Sequence, residues 1–201
     1  LKKKITPASF FALGYNYSIT LDKWHISDMA ADYVYVGDHD INFEVPGTLG
    51  VIFNYKTWIT HKKGYPYFTT KEYLNENLKS KKMNMIHTCF ADLSQDLIEK
   101  IKLDKTAVLL IDSHHKNGIA EQRRLFIELM CNDIMSPVVI GRAYKDLSQE
   151  KLQVFASTDI GALLLDGLGD GIFIKAENCI SDQMLNSLSF GILQASRTRI
   201  S

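Results

Sequence analysis

Apolar and polar positions along the second half of the chain follow two alternating periods. Short apolar runs rich in β-branched residues indicate strands, and longer stretches in which apolar residues recur every three or four positions indicate helices. The predicted elements are strands at residues 106–111, 137–140 and 171–175, helices at 121–131 and 181–196, a polar connection at 148–153, and an apolar helix or turn at 159–165. Ser181 or Asp182 is expected to cap the last helix, because either side chain accepts hydrogen bonds from free first-turn amides. The alternation of strand and helix predicts an α/β fold with a parallel sheet and right-handed crossovers.

The first half of the chain is less regular. The predicted elements there are strands at 32–37 and 84–88 and a helix at 94–102. Trp24 and His25 are expected on a half-buried helix face. Residues 61–82 mix lysines with tyrosines, and we predict a loop or short helix that carries either a single-stranded nucleic-acid site or a solvated connector. The connector is favoured, because the chain as a whole is neutral.

Composition narrows the classes of protein. With 201 residues, of which 46% are hydrophobic and 23% charged, the chain is predicted to form a single domain over 1–201. Basic and acidic residues both number 23, so the net charge is zero, and neither a nucleic-acid partner nor a membrane surface is indicated. Cys89, Cys131 and Cys179 form no C-x-x-C pair, which disfavours a disulfide scaffold, a zinc site or a self-contained iron–sulfur site. A cytoplasmic location is expected, because reduced cysteines are the rule there.

Three polar residues, Asp112, His114 and Arg142, come directly after predicted strands. In parallel α/β folds the loops at the carboxyl ends of the strands aim side chains into a common mouth. Asp112 and His114 therefore suit a metal ion or acid–base chemistry, and Arg142 suits a phosphate or carboxylate group. The alternatives are a polar loop cap for Asp112 and His114, and a salt bridge at the mouth for Arg142.

A glycine-rich stretch at 167–171 (GLGDG) is similar to a phosphate-binding loop. It follows a predicted helix and precedes a strand, however, which is the reverse of the order in a dinucleotide fingerprint. We therefore predict a tight helix-to-strand turn. The sequence also contains no Gly-x-Ser-x-Gly, Walker or H-E-x-x-H motif, so an independent hydrolase has no visible nucleophile and base.

Four stretches of the sequence together resemble one known family. They are residues 9–25 (SFFALGYNYSITLDKWH), 31–37 (ADYVYVG), 157–171 (STDIGALLLDGLGDG) and 193–201 (LQASRTRIS). They are similar to the inserted central domain of 4-hydroxy-3-methylbut-2-enyl diphosphate synthase, in the long, three-domain form found in plants, chlamydiae and Bacteroides-like bacteria. Because the chain begins with Leu1 rather than Met, we interpret 1–201 as a domain excised from a longer protein.

This resemblance implies a parent enzyme of the non-mevalonate isoprenoid pathway. Such an enzyme reductively converts 2-C-methyl-D-erythritol 2,4-cyclodiphosphate with a four-iron, four-sulfur (4Fe-4S) cluster that ferredoxin or flavodoxin reduces. In the family an N-terminal (β/α)8 barrel binds the substrate, and a C-terminal domain holds the cluster through three Cys and a Glu. Neither part matches this sequence, so no catalytic, cofactor or metal ligand is assigned to it.

The resemblance also implies the role of the domain itself. We expect a TIM-barrel-like fold, either closed or an incomplete barrel, that acts as a spacer and docks the substrate barrel and the cluster domain of the same chain. The alternative is a regulatory domain that binds a metabolite or metal at Asp112, His114 and Arg142.

Overall fold

The computed structural model of the chain describes residues 5–113, 115 and 118–197. The strands are β1 Tyr15–Ser18, β2 Lys23–Ile26, β3 Tyr33–Gly37, β4 Gly50–Asn54, β5 Tyr65–Thr69, β6 Asn84–Thr88, β7 Ala107–Ile111, β8 Val138–Lys145 and β9 Gly171–Glu177. The α-helices are α1 Tyr55–His61, α2 Thr70–Asn75, α3 Gln95–Leu103, α4 Gly118–Cys131, α5 Gln149–Leu165 and α6 Asp182–Arg197, and two 3₁₀ helices cover Pro7–Leu13 and Phe90–Asp92. Strands and helices therefore alternate through most of the chain.

The strands form one large sheet and one hairpin. Strands β3 to β9 pair in sequence order and are all parallel, while β1 and β2 form a separate antiparallel pair. The large sheet is curled, because the rings of Tyr35 on β3 and Phe173 on β9, at its two edges, lie 6.2 Å apart between centroids. Seven parallel strands in this order form an open, TIM-barrel-like half-barrel, which confirms the predicted fold class.

Alternation along each strand separates two apolar layers. On β7, Leu109 and Ile111 face the helices and are fully buried, whereas Val108 and Leu110 face the concave side of the sheet. The helix side contains the main core, built from β3 to β9 together with all six of the α-helices given above. The concave side contains a smaller cluster around Ile52, in which Tyr65, Tyr67 and Phe173 are only partly buried. Because successive side chains of a strand point to opposite sides of the sheet, its two faces differ in the residues they carry.

Helix starts follow from local side-chain caps. The hydroxyl groups of Ser94 and Ser148 accept hydrogen bonds from Leu97 N and Lys151 N, and these bonds begin α3 and α5. The expected polar connection at 148–153 is wrong, because these residues are the cap and first turn of α5. Their polar side chains face solvent while Leu152 is fully buried, so one helix runs on to Leu165.

Two expectations for the first half of the chain are also wrong. Trp24 and His25 lie in β2, where they pair with Tyr17 and Asn16 across the hairpin, and not on a helix. Residues 61–82 contain the end of α1 and also β5 and α2 rather than only a loop or short helix. The sequence pattern did not reveal β5, because the residues that it directs to the concave side of the sheet are tyrosines. Tyrosine is polar enough for the segment to be interpreted as part of the surface.

Candidate functional site

Five side chains meet at the mouth of the half-barrel, at the carboxyl ends of β3 to β7. The Tyr35 hydroxyl donates to Asn54 Oδ1, and the Tyr35 ring lies 4.9 Å from the Tyr67 ring. The Tyr67 ring stacks on His87 at 5.7 Å, and His87 Nε2 lies 3.7 Å from Asp112 Oδ2. We call these residues the mouth cluster. It is a chain of rings and polar atoms on the concave face, where TIM-like folds place functional groups.

Burial sets the protonation of the two tyrosines in the mouth cluster. It raises the pKa of the Tyr67 hydroxyl far above its usual value, and the nearby Tyr35 and Asp112 raise it further. Burial likewise raises the pKa of Tyr35. Both hydroxyl groups therefore stay protonated and act as neutral hydrogen-bond donors at physiological pH. His87 and Asp112 form an ion pair only when the imidazole is protonated.

Arg142 lies on the other face of the sheet. Its Nε and Nη2 donate to Asp159 Oδ2 at 3.1 and 2.7 Å, and the Tyr144 hydroxyl donates to the same oxygen at 3.0 Å. A Cβ atom at Gly118, the first residue of α4, would lie only 1.7 Å from Arg142 Nη1, so the guanidinium fills the place of a side chain there. Arg142 thus joins β8, α4 and α5 behind the mouth.

The position of Arg142 corrects one expectation. The strand was expected to end at residue 140, but β8 continues to Lys145, so Arg142 lies within the strand and not after it. The salt bridge considered for Arg142 is present, but it links β8 to α5 rather than crossing the mouth. The strand is longer because β9 pairs with it over seven residues, as far as Lys145 and Glu177.

The structure does not bring Asp112 and Arg142 together. Asp112 lies at the mouth, where its Oδ1 accepts the Ser113 amide at 2.7 Å, whereas Arg142 points to the helices. His114 lies outside the described residues. The binding roles assigned to these three residues stay predictions.

Sequence reasoning missed His87, Tyr67 and Tyr35 as members of the mouth cluster. The two tyrosines stand at alternate positions of their strands, as Tyr35 does between Val34 and Val36 in Tyr33–Gly37, whereas His87 lies between Ile86 and Thr88 in Asn84–Thr88. That alternation was the available signal, because it identifies the face opposite the helices.

The glycine-rich stretch is a turn, as predicted. It joins α5 to β9, and Gly167 and Gly169 adopt φ of 77° and 90°, which side-chain-bearing residues rarely do. A Cβ atom at Gly169 would also lie 2.7 Å from Ile140. The Asp170 carboxylate accepts the Val138 amide at 2.8 Å, so the turn is tied to the start of β8.

The cysteines do not fit an iron–sulfur cluster. Cys89 Sγ donates to Asp92, Cys179 Sγ donates to the Glu177 carbonyl, and Cys131 is exposed at the end of α4. Within residues 5–113, 115 and 118–197, no three His, Cys, Asp or Glu side chains are placed to hold one metal ion. Burial raises the pKa of the Cys89 thiol, which opposes a ligating thiolate.

The lysine-rich segment contributes to a cleft at the opposite end of the sheet. Lys63 and Lys82 line a cavity of about 510 Å³ beside Tyr33 and Tyr65, at the amino ends of the strands. Lys79 lies 3.8 Å from the ring centroid of Tyr73. In barrels this end of the strands serves stability rather than chemistry. Of the helices in the described part, none is long and apolar enough to cross a membrane.

The fold and the mouth cluster define the class of protein: an α/β domain of singly wound parallel (β/α) units with an open barrel. The chain is 35% identical over 175 residues to 4-hydroxy-3-methylbut-2-en-1-yl diphosphate synthase (flavodoxin) of Parabacteroides distasonis, an alignment that covers 85% of this chain and 28% of the synthase. It is 29% identical to the flavodoxin synthase of Phocaeicola vulgatus, in an alignment that again covers 85% of this chain and 28% of the synthase. It is 37% identical over 118 residues to the chloroplastic ferredoxin synthase of Oryza sativa subsp. japonica, covering 56% of this chain and 16% of that protein.

These alignments confirm the resemblance drawn from the sequence. The chain is homologous to a segment of the 4-hydroxy-3-methylbut-2-en-1-yl diphosphate synthases, and it spans about 28% of the length of the bacterial relatives. No model of a known protein family matches the chain. No solved structure matches it either.

Proposed function

We propose that this chain is a structural and docking domain of a 4-hydroxy-3-methylbut-2-enyl diphosphate synthase. The parent enzyme reductively converts 2-C-methyl-D-erythritol 2,4-cyclodiphosphate in the non-mevalonate isoprenoid pathway. The observation that carries the proposal is the alignment of 85% of the chain with a bacterial synthase at 35% identity. The substrate barrel and the 4Fe-4S cluster domain belong to other parts of that enzyme. A flavodoxin or ferredoxin supplies its electrons, as the names of the relatives state for those proteins.

A rigid frame behind the mouth supports a spacer role. Gln122 is fully buried on α4, and its Nε2 donates to Ile111 O at 3.1 Å and to Gly141 O at 2.9 Å. This amide therefore joins the end of β7 to the middle of β8, and Arg142 with Asp159 joins β8 to α5. Buried, hydrogen-bonded polar groups of this kind hold neighbouring elements in one arrangement.

An apolar outer surface supports a docking role. Helix α5 is apolar around much of its circumference, and Val154 and Phe155 are 59% and 45% exposed. Ile127 and Met130 on the neighbouring α4 are 50% and 56% exposed. Exposed groups of large apolar residues mark surfaces that contact other proteins or domains. The proposed partners are the substrate barrel and the cluster domain of the same chain, and the cytoplasmic location stays a prediction.

Mixing two inactive forms of the full synthase tests the spacer role. One form lacks the cluster cysteines, and the other lacks substrate binding in the N-terminal barrel. A spacer that lets each chain place its own cluster over its own barrel predicts no recovered turnover in the mixture, and it predicts that the unaltered chain is active as a monomer. Recovery of a substantial part of the activity, with mixed dimers in solution, would reject this role.

A regulatory binding site is the second candidate, and the mouth cluster favours it. Its two neutral tyrosine hydroxyl groups and the His87–Asp112 pair lie half-buried at the carboxyl ends of the strands, where ligands bind in related folds. Calorimetric titration with inorganic diphosphate and with divalent metal ions tests it. Saturable heat that Asp112→Asn abolishes supports binding, and silence in both titrations removes this candidate.

A further inference from the structure

The curled sheet has two free edges. Strand β9 pairs with β8 along all seven of its residues, and no strand in the described part pairs with its other edge. The outer edge of β3 is likewise without a partner strand among those residues. A free edge presents a row of backbone donors and acceptors that another extended segment can bind.

The hydrogen bonds identify which peptide groups of β9 face the free edge. The Asp146 amide donates to the Glu177 carbonyl at 2.9 Å, so the peptide groups of Glu177 point toward β8. Successive residues of a parallel strand point to opposite sides, so those of Ala176 point away from β8. The same alternation directs the amides of Ile174 and Ile172 to the free edge.

The opening between the two edges is narrow. The rings of Tyr35 and Phe173, which extend inward from β3 and β9, meet across it at 6.2 Å between centroids. Parallel strands lie about 4.8 Å apart, and a singly wound parallel barrel closes with eight strands. The described residues form seven, so the opening corresponds to one further strand.

The free edge of β9 also carries few of the features that keep edges unpaired. The run Gly171–Glu177 has three successive apolar residues, Ile172, Phe173 and Ile174, all partly buried, and no proline. Natural edge strands are usually blocked by charges, prolines or bulges. Here the first charge is Lys175, close to the end of the strand. This edge is therefore better suited to pairing with another strand than to exposure to water.

We propose that the opening between β3 and β9 takes one extended segment of the synthase chain, which runs parallel to β9 and closes the barrel. The occupant comes from the part of the enzyme that this chain does not span, since the chain covers about 28% of its bacterial relatives. Every pairing in the large sheet is parallel, and continued right-handed β–α–β winding places a further parallel strand at the edge of β9. The inference rests on the proposed function and adds the surface through which the domain binds the rest of the enzyme.

Residue-resolved amide hydrogen exchange on the full-length synthase tests this proposal. The edge-facing amides of Ile174 and Ala176 are expected to exchange at least about 100-fold more slowly than unstructured amides, because a bonded strand shields them. Exchange within tenfold of the unstructured rate would overturn the proposal. Protection that disappears on dilution, together with a dimer in solution, would overturn it in favour of a second copy of the chain.

Two neighbouring proline substitutions in the full-length synthase form a matched pair. Ala176→Pro removes an edge-facing amide, and Lys175→Pro removes an amide that bonds to β8. The first is expected to speed exchange at Ile174 at least tenfold while amides shared by β7 and β8 keep their protection. The second is expected to speed exchange along β8 as well. Unchanged protection at Ile174 in Ala176→Pro contradicts the proposal.

Turnover measured on the same protein separates this inference from the proposed function. If the synthase converts the cyclic diphosphate while Ile174 exchanges freely, the added strand is wrong and the proposed function stands. If Ile174 is protected but the protein has no turnover, the proposed function is wrong and the closed edge stands.

Discussion

The two faces of the seven-stranded sheet differ in what covers them. On the helix side, Ile86, Leu109 and Ile140 are all 0% exposed. On the concave side, Tyr33 and Tyr35 are 49% and 39% exposed. The sheet therefore has one face that its own helices cover completely and one face that is only partly covered. The helix side contains most of the buried core, whereas the concave side has a smaller buried cluster around Ile52 and Leu110 and exposes the tyrosines of its β3 edge.

Polar groups follow the same division. Behind the sheet, Arg142 and Asp159 are paired and Gln122 Nε2 donates to two carbonyl groups, so these side chains join neighbouring elements, while Gln122 Oε1 is buried without a hydrogen-bond partner. On the concave face, Tyr67 and His87 touch mainly through their rings and keep polar atoms near the mouth. Three predictions test whether the helix side of the sheet contributes most of the free energy of unfolding. They are ordered from the largest expected effect to the smallest.

Breaking the ion pair behind the sheet should have the largest effect. Arg142→Ala leaves the Asp159 carboxylate, whose side chain is 19% exposed, without its cation. We expect a loss of about 4 kcal/mol in the free energy of unfolding, measured by urea denaturation, because an uncompensated buried charge remains. Lys145→Ala removes an exposed ion pair from the same strand and is the control, with only a small fraction of that effect. Equal losses in the two variants would contradict the assigned role of Arg142.

Truncation of the helix-side core should come next. Ile111→Ala removes a fully buried side chain from β7, and we expect a loss of about 3 kcal/mol in the free energy of unfolding. Val108→Ala, on the same strand but on the half-buried concave face, is expected to lose about 1 kcal/mol. Thermal or urea unfolding of both variants measures the difference. If Val108→Ala is the more damaging, the concave face is as much a core as the helix side.

The smallest effect is a dependence on pH. Burial of Asp104 opposes its ionisation, but hydrogen bonds from Thr106 and Tyr73 outweigh it and hold its pKa below the usual 3.8. A lowered folded pKa stabilises the protein above the pKa of the unfolded chain, and this stability is lost as the pH falls through the folded pKa. Asp104→Asn should therefore lose about 1 kcal/mol at pH 7 and almost none near pH 2. A loss that is equal at both pH values would show that the charge contributes nothing.

Prediction from sequence succeeded for strands whose core-facing residues form a clear apolar pattern. The strands β6 and β7 were expected at 84–88 and 106–111, and the structure has them at Asn84–Thr88 and Ala107–Ile111. Both carry apolar residues toward the core, so their pattern is strong. Strand β5 was missed because its alternate residues are Tyr65 and Tyr67, which face a side of the sheet that has no helices.

The candidate site was predicted less completely than the fold. Asp112 was expected at the mouth and is there, because the end of a buried strand is visible in the sequence. His87 and Tyr67 were missed, since only the pairing of β5, β6 and β7 in the sheet places these side chains beside the end of β7. Arg142 was expected in the mouth because its strand was expected to end at residue 140. The structure pairs β8 with β9 beyond that residue, so Arg142 lies within the strand and faces the helices.

The sequence by itself determined the α/β class, the parallel order of its second half, the helix-to-strand turn at Gly167 and the family to which the segment is homologous. Each of these depends on local periodicity, on backbone freedom at glycine or on residue identity. Only the tertiary structure decided that the seven strands of the described residues leave an opening between β3 and β9, that Arg142 faces α5, and that Tyr35, Tyr67 and His87 form one cluster. These features depend on the curvature of the sheet and on the register and extent of pairing between its strands, which no local pattern of residues records.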